Sequence, residues 1–339
     1  MTNHTGRCVE TRSGANILSS QADDRAALRA VDDVQRIDWP RVVVFAALHA
    51  ACLLVFVVGT SPSAVTMAVV LYGLRMFALT GFYHRYFAHR AFRTSRPVQF
   101  VFAALAASAL HRGPIYWAAL HRHHHATSDQ DGDAHSPVQR GLLWSHMGWF
   151  LSQPRLAPDL ARVKDLSQFP ELRALERYDI LAPITLTAML FAVGATLEGV
   201  PTLRTDRWQM VTWGFLVSTL LCFHASLTIN SLAHRFGTRR YDTSDDSRNN
   251  FWLALLTFGE GWHNNHHRYP GSARQGFFWW EVDITYYGLR ALSMLGIVWD
   301  LKSVPARARR PGEMDSSAGV PVNVAERVGF EPAKTLESL

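Results

Sequence analysis

Nine histidines fall in four clusters whose spacing suits metal ligation. They are His84 with His89, His121 with His124 and His125, His234 four residues after Asn230, and His263 with His266 and His267. Residues three and four apart share a helix face, so each HxxHH run predicts a tight imidazole trio, one metal half-site. His84 and His89 would stand about 140° apart on a regular helix, so they are expected to serve different metals or to sit where the helix loosens. Imidazole suits iron, copper, nickel and zinc alike. Zinc closes with four ligands, often cysteine, and nine imidazoles exceed what one such site employs. Only Cys8, Cys52 and Cys222 occur, with no close pair and no CxxCH, so cysteine supplies neither a disulfide framework, an iron–sulfur site nor a haem attachment. Electrons used in such a site are therefore expected from a separate partner.

Four apolar stretches are available to position these clusters, at about 42–60, 64–82, 180–197 and 208–230. Each is long enough to cross most of a hydrocarbon core, and the short gaps inside each pair predict two helical hairpins. Arg75 interrupts the second stretch and must face protein, snorkel, or lie where the helix leaves the bilayer. The histidine clusters follow span ends on one side, together with Arg85, Arg90, Arg93, Arg96, Arg112, Arg235, Arg239 and Arg240, against Arg204 and Arg207 on the other. That asymmetry makes the histidine side cytoplasmic. The expected fold is thus an all-α integral membrane protein, with four transmembrane helices in two hairpins and a cytosolic helical cap holding a histidine-rich dimetal site.

Residues 97–110 and 289–301 are apolar but short, and suit interfacial or packed helices. Residues 1–36 are expected to form a flexible cytosolic tail, since the first thirty lack the apolar core of a signal peptide. Residues 37–302 form the membrane unit, and 303–339 a disordered tail rich in Pro, Gly, Arg and Glu. The charged fraction of 18% lies below the roughly 25% of soluble domains. Net charge is +6, but the basic residues flank apolar stretches, which points to a membrane and away from nucleic acid.

Metal clusters at membrane-helix ends can meet an acyl chain from the lipid side and oxygen and electrons from the cytosol. Oxidising unactivated C–H bonds needs a redox metal and dioxygen, whereas zinc offers Lewis acidity and activated water. A two-iron site is the favoured reading. A membrane hydroxylase or alkane monooxygenase would use similar metals, and a histidine-rich metal transporter or sensor is a further alternative, although its polar groups should line a path across the bilayer.

In their order and form, HxxxxH at His84, HxxHH at His121, NxxxH at Asn230 and HxxHH at His263 resemble the stearoyl-CoA (delta-9) desaturase-like family of membrane fatty acid desaturases, in its bacterial form. Ser145-His146-Met147-Gly148-Trp149 is also similar to that family's sequence beyond its second box. The resemblance covers about residues 39–301 and implies two iron ions (Fe2+/Fe3+) held by His84, His89, His121, His124, His125, His234, His263, His266 and His267, with Asn230 reaching one through water. It implies two electrons and O2 spent to place a cis double bond in a saturated acyl chain, with no covalent nucleophile. The acyl group would arrive as a CoA thioester, a phospholipid or an acyl-carrier form. The separate electron donor would be a ferredoxin, a cytochrome b5-like protein or a flavin reductase. An inner-membrane location in bacteria follows, with both termini and the site cytoplasmic. The family often carries an Arg-Asp pair before its second box that holds CoA; here Ala118-Ala119-Leu120 stands there.

Other residues have expected supporting roles. An acid among Asp129, Asp131 and Asp133 would orient a ligand, Arg140 at the twelfth position excluding a calcium loop. Glu260 is expected to orient His263, and His111, His135 and His146 are candidate outer donors. His123 lies off the ligand face, and His49 and His224 suit packing within the spans. Tyr72 and Ala68, 12 and 16 residues before His84, lie three and four turns deeper, where an acyl tail running beside this helix would stop. The family resemblance places chain-length control in the same region.

Overall fold

A computed structural model describes residues 36–152 and 159–309. The expected tails at 1–36 and 303–339 therefore lie almost wholly outside the described residues.

Helix α1, Trp39–Val58, starts where the Asp38 side chain accepts from Arg41 N and Pro40 occupies the first turn. Helix α2, Pro62–Ala88, is begun by Ser61 Oγ accepting from Ala64 N at 3.1 Å, again with proline next. At 27 residues α2 is about 40 Å long, more than a hydrocarbon core of about 30 Å, so its last turns carry His84 beyond the bilayer. Helix α3, Arg96–Ala107, packs on α2 with Phe102 stacked on Phe82 at 3.9 Å and Tyr86 donating to Gln99 Oε1 at 2.9 Å, as expected for a short apolar helix. Helix α4, Pro114–Thr127, carries the second histidine box.

Helix α5, Pro170–Arg177, meets α6, Leu181–Leu197, at a bend of 77°. Among the described residues, three continuous helices, α1, α2 and α7 (Arg207–His234), are long and apolar enough to cross a membrane, and the bent pair α5–α6, taken as one span, makes a fourth. Asp206 starts α7 by accepting from Trp208 N and Gln209 N. Val43, Val44, Phe56 and Val57 on α1, with Ile184 and Met189 on α6, are exposed on the protein and present the apolar surface that lipid requires. The cap closes with α8 (Phe251–Leu256), α9 (His263–Arg268) and α10 (Ile284–Met294). Residues 295–301, expected to continue a helix, instead turn into β2 (Val298–Trp299), antiparallel to β1 (Arg93–Thr94).

Arg75 resolves its own cost by facing protein. It is fully buried, with Nη1 on Thr219 Oγ1 at 2.6 Å, Nη2 on Ser218 Oγ, and Nε on Leu71 O at 3.2 Å. This ties α2 to α7 in the middle of the bundle. Arg85 departs from expectation: it is no flanking surface charge but a fully buried guanidinium.

Candidate metal centre

The end of α2 is a π-helix from Ala78 to Ala88. His89 N donates to His84 O at 3.2 Å, an i→i+5 bond, and the wider turn swings residues five apart onto the same side. His84 and His89 then lie with ring centroids 4.8 Å apart, in one group, where regular-helix geometry had set them about 140° apart.

Two all-imidazole groups result. His84, His89, His121, His125 and His266 form the first; His124, His234, His263 and His267 form the second; within each group the ligand atoms lie within 4.8 Å of one another. The expectation of one trio per HxxHH run is corrected here. His121 and His125 join the first group and His124 the second, while His263 and His267 join the second and His266 the first. Residues i and i+4 differ by about 40° around a helix, whereas i+3 lies about 100° from i+4, so the middle histidine of each run turns to the other metal position. Both runs thereby bridge both groups.

Carboxylates set the direction of four rings. His124 Nδ1 faces Asp133 at 3.2 Å, His234 Nδ1 faces Asp129 at 2.8 Å, His267 Nδ1 faces Asp245 at 2.6 Å, and His84 Nδ1 pairs with Glu260. A proton fixed on Nδ1 leaves the Nε2 lone pair pointing inward, the arrangement used by metal-bound histidine. Glu260 thus orients His84 and not His263, because Arg85 holds the carboxylate on the α2 side through Nε at 3.3 Å and Nη2 at 3.0 Å. Arg85 Nη1 also reaches Asp283 and Ala273 O. The Gln275 amide lies between Glu260 and the rings of His84 and His266.

The donor set fits metal ions. Along the first group, successive Nε2 atoms from His89 to His121, His125, His266 and His84 are 2.9–3.0 Å apart. Two nitrogens each about 2.1 Å from one ion, at right angles, lie about 3.0 Å apart. Burial first, and neighbouring imidazoles second, push His89, His121, His125 and His266 well below the ordinary imidazole range, as they do His263, so these rings are neutral with a free lone pair. His263 Nδ1 and His267 Nε2 are buried without a hydrogen-bond partner among the described residues. Burial opposes ionisation of Asp133 and Asp245, but the facing His124 and His267 outweigh it and hold both carboxyls far below their usual range.

The remaining candidates separate clearly. The His135 ring lies tilted against His124, centroids 4.4 Å apart, beside Asp133, as an outer partner; burial lowers it to about 3. His123 points away, to Gly132 O, and His111 bonds Ala109 O and Ser226 Oγ, clear of both groups. Asn230 lies on α7 one turn before His234, its carbonyl accepting from Ser145 Oγ at 2.8 Å. Ala68 is buried, and Tyr72 donates to Leu256 O at 2.5 Å while meeting Phe258 edge-on, which ties α2 to α8. Asp245, Asp283, Gln275 and the inward role of Arg85 were not signalled by spacing, since each meets its partner only through tertiary packing.

A helical membrane protein with two all-imidazole groups at one end of its spans has the donor set of a metal-binding membrane protein. The fatty acid desaturase family model matches residues 60–293. The sn-1 stearoyl-lipid 9-desaturase of Anabaena variabilis is 35% identical over 270 residues, 79% of this chain and 94% of the relative. The delta-9 acyl-lipid desaturase 1 of Arabidopsis thaliana is 35% identical over 280 residues, 80% of this chain and 87% of the relative. An acyl-CoA 5-desaturase of Anemone leveillei is 34% identical over 297 residues, 82% and 86% of the two chains. The chain belongs to the fatty acid desaturase family, and it is a fatty acyl desaturase, an oxidoreductase of the membrane.

Proposed function

We propose that the protein introduces a cis double bond at the delta-9 position of a saturated acyl chain carried by a membrane lipid, at a centre of two irons. His84, His89, His121, His125 and His266 hold one iron; His124, His234, His263 and His267 hold the other, with Asn230 reaching it through water. The observation that carries this reading is the division of nine histidines into two converging groups that share both HxxHH helices.

Bound iron, with O2, supplies the oxidising power needed to take hydrogen from unactivated C–H bonds. The chain's own residues supply position. Asp129, Asp133, Asp245 and Glu260 keep the proton on Nδ1 of their histidines, so Nε2 remains a donor to metal. Arg85, neutralised by Glu260 and Asp283, locks the end of α2 to the cap and so fixes the height of the centre above the bundle. A rigid centre over a membrane-embedded tunnel selects one pair of carbons by distance. Tyr72 and Ala68 set where the methyl end stops.

Lipid-linked substrate is supported by the uncharged stretch Ala118-Ala119-Leu120, where the resembled family often carries an Arg-Asp pair before its second box, and by the stearoyl-lipid substrate named for the Anabaena relative. Residues 37–302 act as the desaturase unit, with both termini and the site on the cytoplasmic side of the inner membrane. Electrons come from a separate donor, a ferredoxin, a cytochrome b5-like protein or a flavin reductase. The test is to reconstitute iron-loaded protein with a reductase chain and O2, offering stearoyl-lipid and stearoyl-CoA in parallel. A delta-9 alkene on the lipid is expected. A stable alcohol as sole product would reject desaturation, and turnover confined to CoA would reject the lipid assignment.

A further inference from the structure

Between the last span and the third histidine box, residues 250–258 carry no charge, although Arg248 and Glu260 frame them. The segment leaves the cap where Asn250 N donates to Gly261 O at 2.7 Å, and it is back in the cap at Trp262, whose Nε1 donates to Val282 O at 2.8 Å. Between these points α8 runs beside α7, and the chain reverses at Phe258 and Gly259, both at positive φ, 59° and 126°. Its tip meets α2 at Tyr72 and Gly73. The Tyr72 hydroxyl donates to Leu256 O at 2.5 Å, the Tyr72 ring meets Phe258 edge-on, and a Cβ on Gly73 would lie 3.8 Å from the Phe258 ring.

Position along α2 gives the depth. On the return side, Thr285 N donates to Phe258 O at 2.8 Å while Thr285 Oγ1 meets Thr80 Oγ1 at 2.7 Å. At about 1.5 Å per residue, Tyr72 stands about 15 Å from Pro62, the end of α2 away from the histidines, and Thr80 about 27 Å. In a hydrocarbon core of about 30 Å, the first level is near the middle and the second near the boundary on the histidine side. The hairpin thus reaches from the cap halfway into the membrane. Its surface suits that depth. Trp252 and Leu256 are 75% and 44% exposed, and Val69, one turn past Tyr72 on the same face of α2, is 66% exposed, so nothing in the chain covers the tip. Lipid offers no hydrogen bonds, so a helix ending there must satisfy its last carbonyls from protein. Thr257 N and Oγ1 both reach Leu253 O, Gly259 N reaches Ala254 O, and Tyr72 serves Leu256 O.

We propose that residues 250–262 form a re-entrant hairpin whose edge, Trp252 to Leu256, binds the acyl chains of membrane phospholipid, with the Tyr72 hydroxyl as its tether. Part of what the sequence sets in the cytosolic cap is then a lipid-contact surface. The chain runs from this edge straight into Glu260 and His263, so lipid contact and the third histidine box share one short segment. The inference stands on depth, exposure and hydrogen bonding, and is independent of the substrate assigned to the enzyme.

Full-length protein in phosphatidylcholine vesicles tests it. Phosphatidylcholine brominated on its acyl chains should quench the parent's tryptophan fluorescence more than that of Trp252→Phe, while aqueous acrylamide quenches the two equally; the converse overturns the insertion. With the three cysteines replaced by alanine, a nitroxide on Leu256→Cys should be relaxed by O2 and not by a water-soluble nickel chelate, and one on Ser303→Cys, exposed on the cap, should be open to the chelate. Nickel access at Leu256→Cys overturns the lipid surface, and so does exclusion of both agents, the result if a second copy or another protein covers this edge. Adding Tyr72→Phe to the labelled protein should admit the chelate at Leu256→Cys, because the freed carbonyl turns toward water. An unchanged profile overturns the tether. None of these readings needs turnover, so a parent that forms no alkene would reject the desaturase reading and leave the hairpin to be decided by its depth.

Discussion

Replacing Asp245 by Asn removes one charge and changes almost no volume, so its effect isolates the outer support of a single histidine. Asp245 Oδ2 lies 2.6 Å from His267 Nδ1, and both side chains are buried. Its other oxygen accepts from Ser247 N at 3.0 Å, a bond that an amide oxygen can retain. The asparagine would keep its place in the loop but lose the charge that holds the proton on Nδ1. Loss of such a partner costs about 10- to 100-fold in metal affinity, or about 1.4 to 2.7 kcal/mol. His267 belongs only to the second group, while the first group keeps all five rings and its own anchor at Glu260. Metal analysis after stepwise chelator dialysis should therefore show one iron per chain leaving at about 10- to 100-fold lower chelator concentration than in the parent, with the other retained. Simultaneous loss of both metals, or a parental release curve, would refute the assignment of His267 to a separate, carboxylate-supported position.

Arg85→Leu should destabilise metal-free protein by about 3–5 kcal/mol, because it leaves Glu260 and Asp283 as buried charges without their cation; a parental melting temperature in detergent would contradict this. Stability of the metal-free protein should fall as pH drops below about 6.5, where unfolded histidine takes a proton that His89, His121, His125, His263 and His266 refuse when folded, at about 1.4 kcal/mol per pH unit for each ring. His124 works in the opposite sense, since Asp133 outweighs burial and raises it, so a melting temperature flat between pH 7 and 5 would show that these rings do not dominate. Tyr72→Ala should extend the preferred acyl chain and Ala68→Phe shorten it, with the double bond unmoved from the carboxyl end; parental product lengths in both variants would remove these residues from the tunnel.

The nine histidines and the apolar spans were legible because each depends on short-range spacing, three to five residues for ligands and about twenty for a crossing. How the ligands divide was not legible. The spacing of His84 and His89 left two readings open, separate metals or a loosened helix, and the π-helix at Ala78–Ala88 realises the second. The carboxylates show the same limit. Asp129 and Asp133 stood close enough to the second box to suggest an orienting role, but Asp129 reaches His234 across 105 residues. Glu260 lies three residues from His263 and still pairs with His84, because buried Arg85 attracts it from the opposite side. His49 and His224 were expected to pack within their spans, but which residues they would meet was not legible, since only the packing of α1 on α7 brings their Nε2 atoms to 2.9 Å.

Iron content measured in the same samples as alkene formation bears most directly on the central reading. The expected result is two irons per chain at full activity, with His121→Ala and His124→Ala each retaining membrane insertion, each losing turnover, and each releasing a different one of the two metals. Full activity in protein that holds a single zinc and no redox metal would contradict it.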